Sequence, residues 1–152
     1  MRVPVFVSCP TRLNEDQQNS YDVIEQELSA LNMEPRALGR SDFGTRFPLR
    51  EVESIARFCA GGVILGFRQK DFISLDGESV ALPTPWNNLE AGILYALGKP
   101  LIVFREEGIE GGVFDIGVTD LFIHQMPASQ NGSLREIMTK WSADVLRSYY
   151  SK

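Results

Sequence analysis

The chain has 152 residues, is 43% hydrophobic and 23% charged, and carries a formal net charge of −5 with a sequence pI near 4.9. A chain of this length forms one domain with a core sufficient to fold without disulfides or metals, and its apolar share is too high for disorder. The acidic balance argues against a nucleic-acid binder, which carries a basic surface. Yet 11 of the 15 basic residues are arginine, the side chain suited to bidentate grip on carboxylates and phosphates, so a small anionic ligand stays open. Two cysteines and one histidine supply neither a disulfide framework nor a zinc site. The N-terminal apolar run is too short for a signal peptide, and no run approaches the ~20 residues of a membrane helix. These features predict a cytoplasmic protein without a membrane partner.

Val3, Val5, Phe6 and Val7 form a β-branched, apolar first strand that ends at Cys9-Pro10. Tyr21, Ile24, Leu28 and Leu31 recur at helical spacing and predict a helix over about 17–33. A second strand is expected at 34–38, followed by a loop at 39–47. Pro48 suits the first turn of a second helix, with Leu49, Val52, Ile55 and Cys59 on its inner face. Gly61-Gly62 stops it, and Val63-Ile64-Leu65 reads as a strand covered on both faces. The stretch 68–86, with Asp71, Asp76, Glu78, Pro83 and Pro85, reads as a long functional loop. A third helix is predicted over 87–98, ended by Gly98, then a strand at 100–104 and a Gly-rich loop at 105–120. Leu121-Phe122-Ile123 gives a short fifth strand. Ser133 and Glu136 predict a capping box opening a last helix, whose Leu134, Ile137, Met138, Trp141, Val145 and Tyr149 face inward.

This alternation predicts an α/β fold with three layers: a five-stranded parallel sheet of order 2-1-3-4-5, flavodoxin-like, with helices on both faces. Ligands in such sheets bind outside the carboxyl ends of the strands. The residues placed there are Ser8, Cys9, Pro10, Thr11 and Arg12 after the first strand, Gly39, Arg40 and Asp42 after the second, Gly66, Phe67 and Arg68 after the third, Arg105, Glu106 and Glu107 after the fourth, and His124 after the fifth. Positive charge thus collects where a pocket is expected. Helix 87–98 begins on the same edge, with Glu90 in or near its first turn and Trp86, Asn87 and Asn88 just ahead. An aromatic ring and two amides beside a carboxylate suit a base or sugar, and a carboxylate can stabilise an oxocarbenium ion or attack the anomeric carbon. Cys9, which lacks a histidine partner, is expected to be structural. Cys59 and Trp141 are expected in the core, and His124 in a structural or surface role. Gly111-Gly112 reads as a turn, and Glu106, Glu107 and Glu110 as a solvated loop.

The segment Trp86-Asn87-Asn88-Leu89-Glu90 resembles the W-x-x-x-E spacing of TIR domains. The run Glu90-Ala91-Gly92-Ile93-Leu94-Tyr95-Ala96-Leu97-Gly98-Lys99-Pro100 resembles the E-x-G-x-A-x-x-x-G-K-P stretch of nucleoside 2-deoxyribosyltransferases. Both families share a flavodoxin-like sheet and cleave N-glycosidic bonds, and the likeness spans roughly 3–105. It departs where Asn87 replaces the Cys of many TIR domains, where the first strand offers only Val7-Ser8-Cys9-Pro10, and in the sugar-holding acids, for which Asp71 and Asp76 are the candidates. The resemblance implies Glu90 as the catalytic carboxylate, NAD or a related nucleoside or nucleotide as substrate rather than cofactor, and a homo-oligomer. The alternative is an inactive nucleotide sensor or a TIR-like self-association module. A departing nicotinamide is already cationic and needs no general acid, which suits a site without a histidine partner.

Overall fold

The computed structural model describes residues 1–39, 42 and 47–151. In chain order its elements are β1 (Val3–Ser8), α1 (Glu15–Ala30), β2 (Met33–Arg36), α2 (Pro48–Phe58), β3 (Gly62–Gly66), β4 (Lys70–Ile73), β5 (Ser79–Leu82), α3 (Pro85–Ala96), β6 (Leu101–Arg105), a 3-10 turn (Gly112–Phe114), β7 (Ile123–Gln125) and α4 (Gly132–Tyr150). Five strands form one parallel sheet in the order β2-β1-β3-β6-β7. With the β4–β5 pair set aside as an insertion, this is the expected 2-1-3-4-5 order of flavodoxin-like folds. Pro35 lies in β2, an edge strand, where a missing N–H costs least.

The two-residue period of the strands divides the core between the two faces. Val5 and Val7, Val63 and Leu65, and Ile102 and Phe104 join Ile24 and Leu28 of α1 and Met138 and Trp141 of α4. Phe6, Ile64 and Val103 point the other way, onto Val52 and Ala56 of α2 and Ala91 and Leu94 of α3. Cys59 is fully buried on that second face, and burial pushes its thiol up to about 12. Neither cysteine is in a disulfide. Among the described residues no helix is long and apolar enough to cross a membrane.

Four expected boundaries are corrected. The stretch 68–86 is not a structureless loop: β4 and β5 pair antiparallel, Phe72 opposite Val80, around a turn at Gly77 (φ 86°). Exposed polar residues hide the alternation there, but Asp76-Gly77 is a hairpin signal. Helix α3 starts two residues earlier than expected. Thr84 caps it, its Oγ accepting from the Trp86 N–H, and Pro85 fills the first position. Glu90 therefore lies in the second turn, beyond the strongest reach of the helix dipole. The last sheet strand runs Ile123–Gln125, not 121–123, because Ile123 pairs with Val103; Phe122 is 85% exposed. The cap of α4 is Asn131, whose Oδ1 accepts from Leu134 N at 2.8 Å, while Glu136 pairs with Lys140.

Candidate functional site

At the carboxyl edge of the sheet, β1 ends and α3 begins beside one another. Between them lies a cavity of about 340 Å³, lined by Cys9, Pro10, Thr11, Arg12, Leu38, Gln69, Thr84, Trp86 and Glu90. That volume is at the lower end of ligand pockets. The Pro85 start of α3 sets the geometry. Trp86 falls at the mouth, 40% exposed, and Glu90 follows four residues later on the same helix face. Arg12 is exposed at the rim and forms no ion pair with a described residue.

Glu90 is partly buried. Loss of solvent pushes its carboxyl up to about 7, while the neighbouring Ser8 hydroxyl pulls the other way. Ser8, 1% exposed, is the last residue of β1. Behind it Asn87 is fully buried, and its Nδ2 donates to Ser8 Oγ at 2.8 Å, to Ser8 O at 3.3 Å and to Leu65 O at 3.2 Å. One amide thus ties the start of α3 to the ends of β1 and β3. Asn87 Oδ1 is buried without a hydrogen-bond partner among the described residues.

Of the residues expected at the site, the structure gathers Cys9, Pro10, Arg12, Trp86 and Glu90 around the cavity, with Ser8 and Asn87 immediately behind it. The rest lie elsewhere. Phe67 is fully buried in the core. Asn88 Oδ1 accepts from Val113 N at 2.8 Å, and Gly112 is needed beside it because a Cβ there would meet that oxygen at 2.0 Å. Arg105 Nη1 donates to Ile109 O at 3.1 Å and Phe114 O at 2.8 Å, closing its own loop. Arg68 pairs with Asp71 at 2.8 Å, and Asp42 pairs with Arg36. Arg40 lies outside the described residues. Asp76 bonds Ser74 in the hairpin turn, and neither it nor Asp71 lines the cavity.

Thr11, expected at this edge, also lines the cavity, whereas Leu38, Gln69 and Thr84 were not singled out by the sequence. Thr84 was findable, since Thr-Pro is a helix-start pair. Gln69 was not, because its position depends on the hairpin. Glu106 also departs from expectation. It is not a solvated loop residue: one oxygen accepts from Gln17 Nε2 at 2.7 Å and from Arg68 N at 2.8 Å, linking α1 to the exits of β3 and β6. His124 packs its ring 5.6 Å from Phe104, and burial lowers its pKa.

Among the described residues lining the cavity, Glu90 is the only carboxylate and there is no histidine. Chemically this arrangement offers one carboxylate, a cation, an indole face and small hydroxyls. No family model matches the chain, and no curated protein matches it.

Proposed function

We propose that the protein cleaves the N-glycosidic bond of a nucleotide, with NAD or a related nucleoside or nucleotide as substrate and Glu90 as the catalytic carboxylate. The observation that carries this reading is a desolvated carboxylate in a cavity at the switch between β1 and β3, where ligands of such sheets bind. The likeness of 86–100 to enzymes that cleave such bonds supports it.

In the reaction the C1–N bond breaks and its electron pair leaves with the base. Positive charge develops on the sugar ring, and the ionised Glu90 stabilises that charge or bonds to C1. Water then attacks C1, and the sugar gains a hydroxyl as a proton is released; a second base in place of water gives transfer. The absence of a second acid or a histidine from the described lining favours a leaving group that is already cationic, as in NAD. Arg12 at the rim is placed to meet a phosphate and Trp86 to stack on a base. The same lack of an acid–base partner supports the second reading, a sensor that binds the nucleotide without turnover.

The test is incubation with NAD, nucleosides and nucleotides, followed by chromatography for free base. Release by the wild type, lost in a folded Glu90→Gln variant, supports the enzyme. Thermal stabilisation by a nucleotide without release supports the sensor; a ligand at 100 times its Kd adds about 2.7 kcal/mol. The absence of both effects would sink both readings.

A further inference from the structure

We propose that Asn87 is a positioning residue: its amide holds the Ser8 hydroxyl so that the hydroxyl proton is directed to Glu90. The inference rests on the reading of Glu90 as the working carboxylate, and it gives Ser8 and Asn87 a task other than touching substrate.

The orientation of the Asn87 amide follows from its neighbours. Two of its three contacts are the carbonyl oxygens of Ser8 and Leu65, which only accept, so the side that faces them must be the NH₂. That same NH₂ meets Ser8 Oγ at 2.8 Å. A serine hydroxyl has one proton and two lone pairs. With an N–H pointing into one lone pair, the proton turns away from Asn87 and is left for Glu90, which lies one helical turn along α3 from Asn87. The price of this arrangement is visible in Asn87 Oδ1, an acceptor left buried and without a partner among the described residues. Such orphans are rare in folded proteins. The amide is therefore seated for its donors. A rotor fixed in this way supplies its hydrogen bond to Glu90 with no reorganisation when charge is needed there.

The two influences on Glu90 are burial and the Ser8 hydroxyl, while Arg12 and Cys9 share its cavity. Titration of the Glu90 side chain, followed by carbon NMR of labelled carboxyls in the unliganded protein, reads the effect directly. Ser8→Ala is expected to move the midpoint up by about one pH unit, and Ser8→Thr to restore it. Asn87→Ala is expected to move it the same way, and the Ser8→Ala/Asn87→Ala double variant no further than Ser8→Ala alone. If Asn87→Ala does not fold, Asn87→Leu, closer in volume, takes its place. A Glu90 midpoint unmoved in Ser8→Ala overturns the proposal whatever the Asn87 variants do. So do a midpoint unmoved by Asn87 substitution and shifts that simply add. The measurement needs no turnover. A wild type that releases no base overturns the catalytic reading alone, and an unmoved midpoint overturns the positioning role alone.

Discussion

Two halves of the same sheet edge carry similar residues and treat them differently. On the β6 side, Arg105, Glu106, Asn88 and Gln17 all find partners within the protein: carbonyls of the 106–114 loop, the Arg68 N–H, the Val113 N–H and one another. On the β1 side, Arg12 has no ion-pair partner among the described residues, Glu90 is desolvated with one hydroxyl for support, and Asn87 keeps an unpartnered oxygen. The first half is a set of staples. The second holds polar groups short of partners beside a cavity, which is how binding and catalytic sites differ from loops that only close. Position at a strand exit is thus a weak criterion, and unmet bonding capacity a sharper one.

The largest test of this contrast is Glu90→Gln. Base release is expected to fall about 10³-fold or more, since no other carboxylate among the described residues lines the cavity. In the wild type the ionised form does the work, so the rate should rise with pH through about 7 and level off above it. A rate that instead falls as pH rises through 7 would make Glu90 a proton donor.

The same residue should act on stability in the opposite direction. Its carboxyl titrates near 7 in the folded chain and near 4.5 unfolded. Between those values the folded state holds more protons, so stability declines as pH rises from about 4.5 to 7 and stays lower above. The loss is at most about 3 kcal/mol. Glu90→Gln removes this decline, and its melting temperature above pH 7 should exceed that of the wild type, as expected where a site trades stability for function. Equal melting curves across pH 5–8 would count against a strained carboxylate.

Much of the fold was legible, for a physical reason. Strands buried on both faces read as unbroken apolar runs, as at Val63-Ile64-Leu65, and parallel order follows from helices between them. The corner formed by Ser8, Trp86 and Glu90 was legible too, because β1 and α3 each announce their ends locally. The separation of staples from site residues was not. That Arg105 turns to its own loop and Asn88 to Val113 depends on contacts across the 106–114 segment, which no local pattern encodes. The β4–β5 hairpin escaped for a related reason: β4 is exposed along its whole length and carries no buried alternation.

On the stapled side the matching prediction is Glu106→Ala. It leaves the NH₂ of the buried Gln17 amide with Arg68 O alone and the Arg68 N–H without its acceptor. Urea denaturation should register a loss of about 1–3 kcal/mol. Per-molecule base release by the remaining folded protein should change little. A variant as stable as wild type would mean that water replaces the carboxylate and the staple is not one.

Arg12→Ala is the counterpart across the edge. Stability should stay within about 0.5 kcal/mol, since the guanidinium has no ion-pair partner to lose among the described residues. Binding of a phosphate-bearing ligand should weaken about tenfold, while a nucleoside without phosphate binds as before. Equal loss for both ligands would place Arg12 against the base or sugar.

The smallest effect is expected at Arg68, which separates the two halves most finely. It follows β3, as Arg12 follows β1, but its Nη2 meets Asp71 at 2.8 Å, with both side chains largely exposed. Exposed pairs of this kind contribute little. The part of Arg68 that does bind the fold is its backbone, through the N–H to Glu106 and the carbonyl to Gln17, and substitution leaves both in place. Arg68→Ala should therefore leave the denaturation midpoint and the KM for a phosphate-bearing substrate unchanged within error. A rise in KM like that of Arg12→Ala would mean that the guanidinium leaves Asp71 for the ligand, and the division of the edge would then have to be drawn beyond β3.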